Sequence, residues 1–302
     1  MADRAGLRVA TAPDSWGVWF PRHPRQMPWR RFLDEVARAG YRYLELGPYG
    51  YLPTEPAQLA DELGARGLAL CGGTVFSGLH RPDGWDELWP RASAIAALIT
   101  ELGATDLVVL PQPWRSEESG ADLEDRDLTP RQWDRLAAGH DRLGAALRDE
   151  YGVTQRFHSH ADTHVGTPDQ LQRLLEQTAP ENLSLCLDTA HYVYYGGDPL
   201  TLIAGHPDRI GYLHLKQLDP AVLSRVLADD VPFARCAAEL MVPPPDGVPD
   251  LVPIIGAVAT AAPGAFAVVE QDMPGCALDR PLPIAASTRE YLQTCHPMTR
   301  MN

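Results

Sequence analysis

Eight short, largely apolar runs recur along this 302-residue chain, and their recurrence constrains the fold more than any other feature. Several are apolar almost throughout, which is typical of strands covered on both faces, as in a parallel sheet. Stretches with helical spacing separate them, so the pattern predicts a parallel sheet with helices outside it. The eight runs are residues 7–12, 41–46, 68–73, 106–111, 153–158, 183–188, 210–216 and 265–271.

Several of the intervening stretches carry helix start and stop signals. Thr-Pro pairs open the stretches that begin at Thr129 and Thr167, while Gly40 and Gly67 close two others. Proline is favoured in the first helical position and glycine just past the last one. We therefore predict helices over residues 29–40, 54–67, 129–152, 167–178 and 248–259.

Eight strand–helix units in a chain of this length predict a closed (β/α)8 (TIM) barrel, and a doubly wound open sheet is the alternative. We find no internal repeat, low-complexity tract or clear linker, so we expect one domain over residues 1–302. Three segments are longer than a minimal barrel needs, and such loops tend to be binding loops or lids. We expect loop excursions over the C-terminal face of the barrel at residues 74–92, 112–128 and 219–247.

Charge and hydropathy argue against several classes of partner. The formal net charge is −14, from 40 acidic and 26 basic side chains, and it repels nucleic acids and anionic membranes. The sequence has neither a signal-like apolar segment nor an apolar run long enough to span a membrane. Five widely spaced cysteines fit reduced thiols that fill the core. We expect a cytoplasmic protein that binds neither nucleic acid nor membrane, and a homo-oligomer remains possible.

The polar residues at the strand ends are the candidate site residues, because the active sites of such barrels lie at the C-terminal ends of the strands. Strand side chains alternate with a period of two, so candidates two residues apart share a face. The candidates are Asp14, Trp16, Glu45, Thr74, His80, Gln112, Trp114, His158, His160, His164, Asp188, His191, His214, Lys216, Glu270 and Asp272.

Imidazoles and carboxylates on four consecutive strands predict a metal site. Burying such groups together is costly unless they are paired or bind a cation. Mixed nitrogen and oxygen ligands with open positions suit manganese, cobalt, iron or zinc better than calcium. The prediction rests on Asp188, His214 and Glu270 at successive strand ends, with the pair His158 and His160 on the strand before.

Each candidate also has a purely structural explanation. A strand-end histidine is often only hydrogen-bonded, and Glu45 can instead cap a helix or pair with an arginine. Trp16 and Trp114 can fill the core, and His80 can be a solvated loop residue. We interpret three histidines on presumed helices or the tail as surface residues: His140, His206 and His296.

The strand-end motifs resemble those of the xylose-isomerase-like barrel superfamily of sugar isomerases and epimerases. The segments "CLDTAHYVYYGGDP", "RIGYLHLKQLD" and "VVEQD" carry this resemblance. Within the superfamily, "APDSWG", "LELGPYGYLPTE" and "HADTHVGT" are most similar to the inosose dehydratase (2-keto-myo-inositol dehydratase) branch. The resemblance extends over about residues 8–293.

The resemblance implies a (β/α)8 fold and one divalent cation, usually manganese, cobalt or magnesium. It also implies metal ligands at Asp188, His214 and Glu270, with His191 and Lys216 near the substrate. The fifth strand departs from the epimerase pattern, because "RFHSHADTH" stands where epimerases carry a glutamate that binds metal and moves protons. The departure is similar to the dehydratase branch, and it leaves open which histidine of the pair is the fourth ligand.

These residues predict a metal-dependent lyase or isomerase that works next to a carbonyl of a sugar or ketoinositol, through an enediolate. Glu270 or Glu45 would remove the proton, and a protonated His191, His164 or Lys216 would serve as acid. Loss of a β-hydroxyl gives dehydration, whereas reprotonation at carbon gives epimerisation or isomerisation. We expect an inosose-type dehydratase; the alternatives are a sugar (phosphate) epimerase or isomerase and a non-catalytic ligand-binding barrel. Substrate contacts are expected from Trp16, Trp114, His164, His191, Lys216 and Asp272.

Overall fold

The eight predicted runs form a closed parallel barrel in a computed structural model, which describes residues 6–116 and 119–295. Each strand pairs with its two neighbours in chain order, and the last strand pairs with the first, which confirms the (β/α)8 prediction. The barrel strands are β1 (Arg8–Thr11), β2 (Tyr43–Glu45), β3 (Ala69–Ser77), β4 (Asp106–Pro111), β5 (Thr154–Phe157), β6 (Ser184–Asp188), β7 (Ile210–Leu215) and β8 (Phe266–Val269).

Helices connect the strands and surround the barrel. They are α1 (Trp29–Arg38), α2 (Pro56–Gly64), α3 (Gly84–Glu101), α4 (Pro130–Tyr151), α5 (Pro168–Gln177), α6 (Thr189–Tyr194), α7 (Pro199–Gly205), α8 (Pro220–Ala228), α9 (Phe233–Leu240), α10 (Leu251–Ala261) and α11 (Pro281–Thr294). Helices α1, α2, α4, α5 and α10 lie where the sequence predicts them, and the other six were not predicted. None of the helices in the described part of the chain is both long and apolar enough to cross a bilayer.

The two Thr-Pro signals form capping boxes. The side chains of Thr129 and Thr167 each accept a hydrogen bond from the backbone N–H three residues later. The side chains at those later positions, Gln132 and Gln170, accept a bond from the cap backbone in return. Since these bonds satisfy backbone groups that the helix itself leaves unpaired, α4 and α5 begin where the sequence predicts.

Two of the three predicted loop excursions contain regular structure. In 74–92, β3 continues to Ser77 and α3 begins at Gly84, so the loop prediction was wrong for most of the segment. Tryptophan, glycine and a proline obscured the helical pattern there, because Pro90 lies inside α3. Segment 219–247 contains α8, α9 and one strand of a small antiparallel pair, Gln217–Leu218 with Met241–Val242. The described residues of 112–128 form no helix and only isolated bridges.

Buried apolar side chains fill the barrel and the layer between its strands and helices. The interior cluster includes Cys71, Val108, Cys186 and Tyr212, and both cysteines are buried and form no disulfide. The prediction that His140 lies on the surface was wrong: it is buried between α4 and the barrel, with Nδ1 2.7 Å from Gln155 Oε1. His206 is partly buried on its helix end, and His296 lies outside the described residues.

Candidate active site

Four side chains from successive strand ends converge at the C-terminal mouth of the barrel. We call them the strand-end group: His158, Asp188, His214 and Glu270. One nitrogen or oxygen atom of each lies within 4.8 Å of the corresponding atoms of the others, and all four residues are buried. Asp188 Oδ2 lies 3.2 Å from His158 Nε2 and 3.9 Å from His214 Nδ1, and Glu270 Oε2 lies 2.8 Å from His214 Nδ1. Ligands bonded to one divalent ion at about 2.0–2.2 Å lie at comparable separations of about 3 Å.

The orientation of His214 fits a metal site. Its Nε2 lies 2.8 Å from Glu45 Oε1, so its Nδ1 is the atom that faces the carboxylates of Asp188 and Glu270. Nδ1 is buried, and Glu270 Oε2 lies within hydrogen-bond distance of it at 2.8 Å. A buried imidazole nitrogen that faces two carboxylates needs a cation or a proton between them. Two imidazoles and two carboxylates fit a divalent ion of the borderline type.

Asp188 occupies two roles that its position in the sequence explains. It is the last residue of β6, and its Oδ1 accepts hydrogen bonds from the backbone N–H groups of Ala190 (2.9 Å) and His191 (2.8 Å). These bonds cap α6 at its first turn. Because Oδ1 is held by the helix, Oδ2 is fixed toward the strand-end group. The "DTAH" motif therefore combines a helix cap with a ligand position.

His158, and not His160, belongs to the strand-end group. The rule of alternation placed both on one face, but β5 ends at Phe157, so the rule does not extend to either residue. His160 Nδ1 lies 2.8 Å from the Ala161 carbonyl oxygen, and the centres of the His160 and His191 rings are 3.7 Å apart. His160 therefore lines the cavity without joining the strand-end group.

Lys216 lies among four carboxylates next to the strand-end group. Its Nζ lies 2.7 Å from Glu270 Oε2, 3.0 Å from Asp272 Oδ2, 3.4 Å from Asp188 Oδ2 and 3.9 Å from Asp14 Oδ2. Burial raises the pKa of Asp14 well above its usual range and also raises that of Asp272, so Asp188 and Glu270 are the carboxylates that carry negative charge toward a further cation. Asp14 was a candidate at the end of β1, but the sequence suggested no role for it.

The charges of the principal groups follow from this arrangement. Burial would raise the pKa of Asp188, but Lys216 and His158 lower it to about 2. Burial also opposes the ionisation of Glu270, but His214 and Lys216 hold its pKa well below the usual range. Burial disfavours the charge on Lys216 as well, yet the surrounding carboxylates hold its pKa well above the usual range. The site therefore contains ionised carboxylates and an ionised lysine.

The surroundings of His191, one of the three candidate acids in the sequence, disfavour its protonation. Its Nδ1 accepts a hydrogen bond from the Ala161 backbone N–H at 3.3 Å. Burial first, and then the neighbouring His160 and Lys216, hold the pKa of His191 well below the usual range. Its Nε2 lies 3.5 Å from Lys216 Nζ, so it adjoins the site without carrying charge.

Three predicted substrate-binding residues lie away from the strand-end group. Trp16 is buried in the core, where its Nε1 donates to Glu35 Oε2 at 2.9 Å. Trp114 lies beneath the guanidinium groups of Arg115 and Arg126, 4.1 and 4.4 Å from its ring centre. The structure therefore favours the alternative that these two tryptophans are packing residues. The third residue, His164, belongs to a separate cluster.

That separate cluster, which we call the lid tie, consists of His80, Arg81, Glu124 and His164. His80 Nε2 lies 2.6 Å from Glu124 Oε2, Arg81 pairs with Glu124 Oε1, and the His164 ring packs 4.6 Å from the His80 ring. These contacts connect the 112–128 segment to the loops after β3 and β5. His80 is therefore buried in this contact and is not the solvated loop residue of the structural alternative.

A cavity of about 750 Å³ opens above the strand-end group. Glu45, His158, His160, His214, Lys216, Glu270 and Asp272 line its floor. Aromatic residues line part of its outer wall, among them Trp19 and Phe233, whose rings stack with centres 6.4 Å apart. Trp19 Nε1 also donates to Asp272 Oδ1 at 2.9 Å. Sequence reasoning missed Phe233, and its only signal was an aromatic residue within the 219–247 excursion. The volume suits a small ring-shaped ligand.

The sequence profile of the xylose isomerase-like TIM barrel family matches residues 33–295 of this chain. The chain belongs to this family. The inosose dehydratase of Geobacillus thermodenitrificans (strain NG80-2) is 28% identical over 302 residues, which cover 96% of this chain and 97% of that relative. The inosose dehydratase of Lacticaseibacillus casei is also 28% identical, and the match covers 95% of this family member and 96% of the relative.

Solved structures share the fold of this xylose isomerase-like barrel. The IolI protein, solved with a zinc atom, superposes with a TM-score of 0.71 at 16% identity, covering 97% of this chain and 100% of that one. The D-allulose 3-epimerase of Methylomonas sp. superposes with a TM-score of 0.67 at 16% identity, covering 98% and 99%. At such identities the likeness concerns the fold alone.

Proposed function

We propose that this protein is a divalent-metal-dependent dehydratase that acts on a ketoinositol or a closely related polyhydroxy ketone. The observation that carries the proposal is the strand-end group on the floor of the cavity, with Lys216 beside it. The similarity to inosose dehydratases, which covers nearly all of the chain, supports the choice of substrate class.

The metal would be held by His158 Nε2, Asp188 Oδ2, His214 Nδ1 and the Glu270 carboxylate. When bound, a divalent ion polarises a carbonyl and stabilises the negative charge that develops on its oxygen, which is worth several kcal/mol. The two carboxylates are ionised and need lose no proton on binding. Manganese, cobalt, magnesium, zinc and iron all remain candidates, and the ligand types favour the transition ions.

The protein's own groups divide the proton transfers between them. Glu270, which is ionised and lines the cavity, removes the proton from the carbon next to the carbonyl. The electron pair of that C–H bond becomes the new C=C bond while the β-hydroxyl leaves with its bonding electrons. Lys216, which is protonated in the resting site, stabilises the negative charge that develops on the leaving hydroxyl and delivers its proton so that the hydroxyl leaves as water. His191 lines the site beside the lysine, with its Nε2 3.5 Å from Lys216 Nζ.

Dehydration is preferred over epimerisation because of the fifth strand. Inverting a carbon centre requires a base on each face of the substrate. Here the fifth strand is followed by His158, which lies 3.2 Å from Asp188 and would serve as a ligand instead of a second base. The site therefore lacks one of the two bases that the epimerisation of a ketohexose requires.

Incubation with ketoinositols and ketohexoses in deuterated water tests the proposal. Protein reconstituted with manganese, cobalt or zinc should convert a ketoinositol to a product with new ultraviolet absorbance from an enone or diketone. Chelation should stop the reaction and added metal should restore it. Deuterium incorporation without an absorbance gain would mean epimerisation instead. Absence of both with every metal and substrate would reject an enzymatic role for the site.

A further inference from the structure

Glu45 lies at the end of β2 and contacts the strand-end group from behind. We infer that it is a positioning residue that holds His214 for metal binding, and not the base that removes the substrate proton. The inference rests on the proposed metal site, but not on which reaction the site catalyses. It changes the role that the sequence suggests for Glu45.

Both carboxylate oxygens of Glu45 already have partners. Oε1 lies 2.8 Å from His214 Nε2, and Oε2 accepts a hydrogen bond from Thr74 Oγ1 at 3.1 Å. Glu45 and His214 are both buried, although the carboxylate borders the cavity. A general base needs an oxygen directed at the proton it removes, within hydrogen-bond reach. Glu45 directs its oxygens at His214 and Thr74.

The chemistry of imidazole explains what this contact does. A neutral imidazole has one N–H and one nitrogen lone pair, and only the lone pair can bind a metal. A carboxylate oxygen 2.8 Å from Nε2 accepts a hydrogen bond from the Nε2–H, so the contact with Glu45 favours the tautomer of His214 with its proton on Nε2. The lone pair is then on Nδ1, the atom that faces Asp188 and Glu270. The contact also fixes the plane of the ring and raises the basicity of the ligand.

The location of the two residues makes the contact specific. β2 and β7 are separated by β8 and β1 around the barrel, so Glu45 reaches His214 across the barrel mouth. Thr74, on the neighbouring β3, fixes the second oxygen and thereby the rotation of the carboxylate. Residues on three strands, β2, β3 and β7, therefore fix the orientation of one proposed ligand, His214.

Metal affinity and turnover, measured separately, distinguish a positioning residue from a base. We would compare Glu45→Gln and Glu45→Ala with Glu35→Gln as control. Glu35 is also a buried glutamate with a hydrogen-bonded partner, Trp16, but it lies away from the strand-end group. The dissociation constants for Zn²⁺ and Co²⁺ follow from competition with a chromophoric chelator, and the visible spectrum of bound Co²⁺ reports the ligand geometry.

We expect Glu45→Ala to weaken metal binding by about 10–100-fold, the range known for loss of an outer-shell partner. The Co²⁺ spectrum should change, and most of the turnover should return at saturating metal. Glu45→Gln should lose less affinity, because the amide oxygen still accepts a hydrogen bond from the Nε2–H of His214, although it lacks the negative charge of the carboxylate. Glu35→Gln should bind metal like the unmodified protein.

Two results would overturn the inference, and they differ in what else they reject. If the Glu45 variants bind metal normally but lose turnover that saturating metal does not restore, Glu45 is the base and the metal-dependent function stands. If the unmodified protein binds neither ion, the proposed function fails together with the inference. Circular dichroism and thermal unfolding check that each variant folds. The nearly isosteric Glu45→Gln decides the question if Glu45→Ala does not fold.

Discussion

The strand-end group and the lid tie combine the same metal-ligating residue types but differ in how their carboxylates are paired. Both bring two histidines and at least one carboxylate together in a buried place. In the lid tie, the guanidinium of Arg81 pairs with the only carboxylate, Glu124, so the cluster is close to neutral. At the strand ends, four carboxylates lie within 3.9 Å of Lys216 Nζ, and two of them, Asp188 and Glu270, are held ionised. We expect the number of ionised carboxylates, rather than the number of histidines, to decide which cluster attracts a divalent cation.

Removing a carboxylate from each cluster is the strongest test of this contrast. Asp188→Ala and Glu270→Ala should each abolish stoichiometric metal in protein purified without chelator. Turnover should fall by at least about 10³-fold, since the several kcal/mol that a metal contributes correspond to such a factor. Glu124→Gln, in the lid tie, should leave the metal content unchanged. Elemental analysis of the folded variants gives the answer. Full metal in both strand-end variants would contradict the assignment.

The fold and the site differ in how far the sequence could predict them. Strand positions followed from apolar runs, and α4 and α5 from their Thr-Pro caps, because both signals are local. The cluster of Asp188, His214 and Glu270 followed from the barrel's symmetry, which brings all strand ends to one face.

Other features depended on contacts that no local pattern records. The alternation of strand side chains does not apply to His158 and His160, because β5 ends at Phe157, before both of them. The end of a strand is set by pairing with its neighbours in the sheet, which no local pattern shows. The burial of His140 depends on Gln155 on the next strand, and the contact of Glu45 with His214 spans the barrel. The position of Phe233 depends on how two helices of an excursion fold back over the mouth.

A substitution at Lys216 tests whether the proposed reaction needs the lysine in addition to the carboxylates around it. Lys216→Met should keep or strengthen metal binding, because a competing cation is removed from the carboxylates. Turnover should nevertheless fall by about 10²–10⁴-fold, the usual contribution of a positioned proton donor. Steady-state kinetics at saturating metal, with metal content measured in the same samples, separates the two effects. If Lys216→Met loses its metal, the lysine stabilises the site instead of competing for it.

His140 lies outside both clusters and provides a control, because its direct partner is the uncharged amide of Gln155. Burial lowers the pKa of His140 to about 4, below the unfolded value of about 6.5. Between these two pKa values, the unfolded chain binds the proton more tightly than the folded chain does. The free energy of unfolding that depends on neutral His140 is therefore fully present above pH 6.5 and is lost as the pH falls toward 4. The linkage amounts to about 3 kcal/mol of unfolding free energy. Urea denaturation of His140→Gln should therefore show a shallower decline from pH 7 to pH 4 than the unmodified protein, despite lower stability at pH 7. Parallel declines would mean that His140 does not titrate in this range.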